Sequence, residues 1–298
     1  ISLLIADWLN LNLKFIFQGN RPYWMSNEIK QFESTCESGY GMPSGHVMDS
    51  TSFFGYIWLV IYKYIKDNHP KMNKKTYLLC LIYLMFTPIF ITLVAISRIT
   101  TGSHYPSQVI TGAIIGFMIP YYLQKYYASL TKWYKTAYTS QHNLNEKTTI
   151  IKRGLIISVC MFVLPLLLIY ILELIGREPY NSLTLAAKGC MNSANVKKTT
   201  SPMQSLASTI GVVLAVTISV SFIDFKYYIN RSINSTFNYI IILSNLLPIY
   251  ILHVSILPKM LNYIFFYINN IYLQEFIHFF ILFICSMSII PMISTIIF

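Results

Sequence analysis

Three separated stretches of this chain carry residues able to handle a phosphoryl group: Lys14 with Arg21-Pro22, then Pro43-Ser44-Gly45-His46, then Ser97-Arg98 with His104. Lys14, Arg21 and Arg98 are cations, and an arginine offers a planar donor fork that matches phosphate oxygens. Pro43-Ser44-Gly45-His46 precedes an apolar helix, so its backbone N–H groups and the positive helix terminus suit an anion. Gly45 permits close approach of backbone to ligand, Ser44 is a hydrogen-bond donor, and His46 is a proton donor near neutral pH. His104 is the better nucleophile. Imidazole attacks phosphorus only when neutral, with its other nitrogen held as a donor, and Gln108, one helical turn later, supplies an oxygen to hold it. Taken singly, each piece has a plainer reading: Lys14 as a lysine snorkelling to an interface, Pro43-Ser44-Gly45-His46 as a serine cap beside a surface histidine.

The elements that must position these residues are apolar helices. The chain has 298 residues, 55% hydrophobic and 11% charged, more apolar than a soluble core can use. Runs of about 20 apolar residues, enough to cross a bilayer as helices, fall near 1–17, 47–65, 77–97, 107–124, 154–173, 204–223, 237–257 and 276–297. The fold expected is an all-α polytopic transmembrane bundle of about eight spans, one membrane-embedded domain over 1–298. Pro88, Pro120, Pro165, Pro248 and Pro291 read as kinks in it. Lysine-rich loops after 65, 124 and 223 should be cytosolic, which puts 18–46, 98–106, 174–203 and 258–275 on the opposite, lumenal face. The three stretches then meet on that face. Lys14 reaches from below while Arg21 closes the pocket, roughly 10 Å further along the axis if the first helix continues.

The net charge is +11, yet the basic residues sit between spans and form no stripe, so nucleic acid is not the expected partner. Cys80, Cys160 and Cys285 fall in apolar runs. Cys36 and Cys190 lie in loops on one side, compatible with a single bridge between them, and no metal-ligand spacing is present. Asn230 and Asn234 head sequons in a loop assigned to the cytosol and should stay unmodified. Asp7, two turns below Lys14, reads as a structural hydrogen bond or ion pair, Asp49 as favourable charge near a helix start, and His253 as a hydrogen-bonded interior residue. Tyr23, Trp24 and Tyr105 read as interface belt, with sugar stacking as the alternative. The chain opens at Ile1 inside an apolar run and reads as a fragment.

Lys-x6-Arg-Pro, Pro-Ser-Gly-His and Ser-Arg-x5-His, in this order, resemble the signature of the type 2 phosphatidic acid phosphatase superfamily. That superfamily usually has Asp where this chain has Gln108. Asp7-Trp-Leu-Asn, Arg21-Pro-Tyr-Trp24, Gln31-Phe, Thr35-Cys-Glu37, Gly41, and His104-Tyr-Pro-Ser-Gln-Val109 more narrowly resemble the glucose-6-phosphatase catalytic subunit family, in which Gln at that place is expected. The resemblance implies a phosphatase type 2-like core and a family pattern of nine spans, with the first span and a short basic tail missing here. It further implies hydrolysis of glucose 6-phosphate through a phosphohistidine, the closing step of gluconeogenesis and glycogenolysis. Lys14, Arg21, Arg98, Ser44 and Gly45 would bind phosphate, His46 would be general acid and His104 nucleophile, oriented by Gln108, with no metal or cofactor. An endoplasmic-reticulum membrane location with a lumenal site, and a separate glucose-6-phosphate transporter as partner, follow from the same likeness. A lipid phosphate phosphatase and a catalytically feeble relative are the alternatives.

Overall fold

The computed structural model describes residues 2–26, 28–29, 35–126, 144–192, 195–197, 201–222, 270, 273–274 and 276–281. In chain order its helices are α1 (Ser2–Phe17), α2 (Pro22–Met25), α3 (Gly45–Asn68), α4 (Lys74–Thr100), α5 (Pro106–Lys125), α6 (Leu144–Leu174), α7 (Asn181–Gly189) and α8 (Pro202–Phe222). The described residues are helical with one isolated parallel bridge, Glu37 with Lys197. The chain divides into two compact units, residues 1–128 with 165–205, and 129–164 with 206–298.

The first unit holds all of the candidate site. Helix α1 does not run on to Arg21 as the sequence allowed: Gln18 takes φ 48°, its N–H caps the Lys14 carbonyl at 3.0 Å, and the chain turns before Pro22 opens α2. Helix α4 starts at Asn73, whose side chain accepts from the Thr76 N–H at 2.7 Å. Pro88 lies inside α4 and leaves the Leu84 carbonyl without its helical N–H; the Trp58 indole of α3 donates to it at 3.0 Å. Helix α5 has Pro106 at its first turn, with the Gln108 side chain folded back on the Tyr105 N–H.

Helix α5 crosses α3 at the level of the site. A Cβ on Gly112 would fall 2.7 Å from the Ser44 carbonyl, so only glycine lets the two backbones approach there. Below, Ala6, Met48 and Ile119 are buried together, with Ile5, Leu9, Ile115 and Leu123 packed around them. Burying the Met48 side chain contributes about 1.5–3 kcal/mol. The outer surface of α4 is unlike this core: Leu78, Met85, Ile89 and Leu93 are all exposed.

In the second unit, the Phe276 and Phe280 rings stack at 5.9 Å, one helical turn apart. Among the described residues two helices are long and apolar enough to cross a membrane, Lys74–Thr100 and Ile151–Leu174. The eight-span expectation is thus met by that test at two places. Among the described residues, helices also fall on the expected runs 1–17, 47–65, 107–124 and 204–223, as Ser2–Phe17, Gly45–Asn68, Pro106–Lys125 and Pro202–Phe222. The span 237–257, most of 276–297, both sequons, His253, Pro248 and Pro291 lie outside the described residues. Helix α6 starts ten residues before the apolar run at 154 and takes in Leu144 to Arg153, a mixed stretch with no proline or glycine to stop a helix.

Candidate active site

Arg21 caps α2 and is wholly buried. Its Nε donates to the Gly39 carbonyl at 2.7 Å, its Nη1 to the Ser103 carbonyl at 3.2 Å, and its Nη2 to the Tyr40 carbonyl at 3.4 Å. Nη2 also pairs with Glu37 Oε2 at 2.7 Å, while Glu37 Oε1 takes Arg98 Nη2 at 2.7 Å. One carboxylate therefore bridges two guanidinium groups from segments far apart in the chain. Burial acts to raise the Glu37 pKa, but Arg21, then Lys14, His104 and His46, outweigh it and hold the carboxyl well below the usual range.

The Glu37 segment is fastened on several sides. The Tyr23 hydroxyl accepts from the Glu37 N–H and donates to the Glu37 carbonyl, each at 3.0 Å. Lys197 N–H donates to the Cys36 carbonyl at 2.9 Å and the Ser38 hydroxyl donates to the Lys197 carbonyl at 2.8 Å. A disulfide joins Cys36 to Cys190. Tyr23 is thus a buried strut, contrary to the belt or sugar-face reading of it.

His104 is buried beside this network. Its Nδ1 lies 2.8 Å from the Gly41 carbonyl, which can only accept, so Nδ1 carries the proton and Nε2 keeps its lone pair. Nε2 faces Arg21 Nη1 at 3.4 Å. Burial first, and then the Arg21 charge, press the His104 pKa well below the ordinary 6.5, leaving a neutral imidazole at neutral pH. The sequence assigned the orienting oxygen to Gln108; the structure divides that role. Gln108 Oε1 is the longer contact to Nδ1 at 3.3 Å and also accepts the Tyr105 N–H at 3.1 Å, while its Nε2 donates to the Asn20 carbonyl at 2.7 Å. Gly41 must be glycine for this, since a Cβ there would sit 2.7 Å from Gln108 Oε1.

Ser44 caps α3 and is fully buried; its N–H donates to the Gln108 carbonyl at 3.0 Å, and its hydroxyl has no partner. Asn10 Nδ2 donates to the Pro43 carbonyl at 3.2 Å and fixes the turn from below. Gly45 is the first residue of α3 and His46 the second, exposed and just outside the apolar run 47–65. Although His46 reaches solvent, desolvation by the protein packed around it, and next the Arg98 charge, lower its pKa; Glu37 opposes them. Arg98 has a buried Nε without a partner. Lys14 is half-buried and acts on Glu37 and His104 through its charge.

Arg21, Arg98, His104 and Gln108 are therefore linked by direct contacts, whereas Lys14 and His46 join them through the electrostatic field. Asp7 and Asp49 interact with one another and, through their charges, with Lys14, and Asp49 Oδ1 is buried without a hydrogen-bond partner. Trp24 lies 5.9 Å from the Arg21 guanidinium carbon, as a cation–π neighbour, and Tyr105 is exposed. Glu37, Gly41 and Asn10 figured in the sequence only as parts of the family motifs, without a role in the site. For Glu37 the sequence offered little, since Glu28 and Glu33 share the loop that carries Arg21; a backbone carbonyl leaves no signal at all.

The arrangement presents two unpartnered donors, Ser44 Oγ and Arg98 Nε, and a neutral imidazole held in one tautomer amid positive charge. It can bind a tetrahedral anion and attack it. Among the described residues no cluster of three His, Cys, Asp or Glu forms a metal-binding group.

Residues 1–132 match the model of the PAP2 superfamily. Glucose-6-phosphatase catalytic subunit 1 of Haplochromis nubilus is 34% identical over 149 residues, 44% of this chain and 41% of that protein. Glucose-6-phosphatase 2 of Mus musculus is 27% identical over 237 residues, 73% of this chain and 60% of that protein. The matches thus span 41 to 60% of the lengths of these curated relatives. No solved structure gives a significant match. Over its first 132 residues the chain thus resembles the PAP2 superfamily, and over part of its length it is similar to glucose-6-phosphatase catalytic subunits.

Proposed function

We propose that the chain is a membrane phosphohydrolase that cleaves glucose 6-phosphate to glucose and phosphate through a phosphohistidine on His104. The observation that carries this reading is the pairing of a fixed Nδ1–H, 2.8 Å from the Gly41 carbonyl, with an Nε2 lone pair 3.4 Å from Arg21. Lys14, Arg21 and Arg98, with the Ser44 hydroxyl and the Gly45 amide, stabilise the phosphoryl oxygens. His104 Nε2 forms the P–N bond as the P–O bond to the sugar breaks, and protonated His46 gives its proton to the departing oxygen. Neutral His46 then takes a proton from water, whose oxygen attacks phosphorus; the P–N bond breaks and phosphate leaves. Gln108 braces the His104 loop, and neither metal nor cofactor enters a step.

The exposed apolar flanks of α4, and the length and composition of Lys74–Thr100 and Ile151–Leu174, support a multi-pass membrane protein; the reading of one embedded domain with about eight spans rests on the apolar runs of the sequence. Likeness to glucose-6-phosphatases supports an endoplasmic-reticulum membrane, a lumenal site, a place at the end of gluconeogenesis and glycogenolysis, and a glucose-6-phosphate transporter as partner. Phosphate release by membranes bearing the full chain should be faster from glucose 6-phosphate than from mannose 6-phosphate or lysophosphatidate. Preference for the lipid rejects the sugar phosphate and leaves the lipid phosphate phosphatase.

A further inference from the structure

We propose that Glu37 is a positioning residue of the phosphate site: its carboxylate braces Arg21 and Arg98 so that their remaining donors face the phosphoryl group. The proposal rests on the phosphatase reading above. Each Glu37 oxygen holds one Nη2 at 2.7 Å. With Nη2 tied to Glu37 and Nε to Gly39, Arg21 cannot turn, and its Nη1 stays on the side of His104 Nε2. With its Nη2 tied in the same way, Arg98 is left with a buried Nε that no protein atom satisfies. An unpartnered buried donor on a guanidinium is costly unless an anion meets it.

Two features distinguish a brace from a carboxylate merely standing where phosphate belongs. The first is fixation. Tyr23 holds the Glu37 backbone at both its N–H and its carbonyl, Lys197 pairs alongside, and the neighbouring Cys36 is bonded to Cys190. A placeholder has to leave when the ligand arrives, and nothing in this segment is built to move. The second is charge. Lys14, Arg21 and Arg98 outnumber the one carboxylate that bridges the two arginines, so with Glu37 in place the groups around the pocket stay positive on the site side, with Asp7 and Asp49 acting on Lys14 from below, as an anionic phosphate monoester of about −1.5 to −2 at pH 7 requires.

The brace makes a prediction opposite in sign to simple electrostatics. Glu37→Gln removes a negative charge from an anion site, yet orthovanadate, a phosphate analogue, should inhibit glucose 6-phosphate hydrolysis about 10- to 100-fold less tightly, by analogy with the loss of an outer-shell partner that orients a ligating side chain at a metal site. Glu37→Asp, which keeps the charge but reaches both arginines less well, should lie between Glu37→Gln and the parent chain. The inhibition constant reads only folded, active molecules, so a general loss of stability would leave it unmoved. If Glu37→Gln turns over too slowly, the vanadate-induced rise in thermal midpoint reads the same affinity. Tighter or unchanged vanadate binding in Glu37→Gln overturns the brace. Failure of vanadate to bind or inhibit the unsubstituted chain would instead overturn the phosphatase reading beneath it.

Discussion

Replacing Gln108 by leucine separates two supports of His104 that lie close together. The substitution removes the 3.3 Å contact from Oε1 to Nδ1 but leaves the 2.8 Å contact to the Gly41 carbonyl, so the tautomer with Nε2 free should survive. It also strands the Tyr105 N–H and the Asn20 carbonyl, bonded to the amide at 3.1 and 2.7 Å. Both are only partly buried, so stranding them should cost roughly 1–3 kcal/mol of stability in total. Losing the longer of two acceptors should raise the barrier by about 1 kcal/mol, a fall of roughly fivefold in kcat. Loss of the correct tautomer in a histidine-dependent hydrolase costs about ten thousandfold, so the two outcomes are well separated. The assay is initial-rate phosphate release at saturating glucose 6-phosphate, per mole of folded protein by thermal melt. A fall of a thousandfold or more with the fold retained would show that Gln108, and not Gly41, holds the imidazole.

Other perturbations probe neighbouring links. Arg21→Lys keeps the charge but loses the fork that serves Gly39, Tyr40, Ser103 and Glu37; kcat/KM should drop by more than a hundredfold and the thermal midpoint should fall, measured on the same preparation. Gly112→Ala places a Cβ 2.7 Å from the Ser44 carbonyl, so the turn carrying Ser44 and His46 must shift; steady-state kinetics should show reduced kcat/KM. The pKa values of both histidines lie below the ordinary value, that of His104 well below it. His104 must be neutral and His46 protonated, so kcat/KM should decline tenfold per pH unit once pH exceeds the His46 pKa, a limb that begins below about 6.5. Bound phosphate raises the His46 pKa, so the same limb in kcat should lie at higher pH. A kcat/KM profile still flat at pH 8 would contradict these assignments.

The parts legible in sequence are those whose residue types are out of place in an apolar chain. Arg21, Arg98, His104 and the Pro43-Ser44-Gly45-His46 turn stand out because charge and imidazole are costly near a bilayer unless they have work or partners. Helix positions followed from apolar runs, but helix ends did not: α1 stops at a left-handed Gln18, and α6 takes in a mixed stretch that hydropathy assigns to a loop. Glu37 was visible as an acid and unreadable as a bridge, because its position depends on pairing with Lys197, which lies 160 residues further along the chain. The Gly41 carbonyl has no sequence signature at all, since every residue has one. Tyr23 was misread for a related reason: an aromatic near a span end is usually belt, and only the fold shows its hydroxyl closing on the Glu37 backbone.

Trapping the phosphoenzyme tests the central claim most directly. Membranes bearing the full chain, exposed briefly to glucose 6-phosphate labelled in its phosphate and quenched in alkali, should yield label on the protein that is stable to base and lost in acid. The label should map to His104, vanish in His104→Ala, and persist in His46→Ala, where hydrolysis of the P–N bond is slowed. Turnover without such label, or label that survives in His104→Ala, would contradict the account.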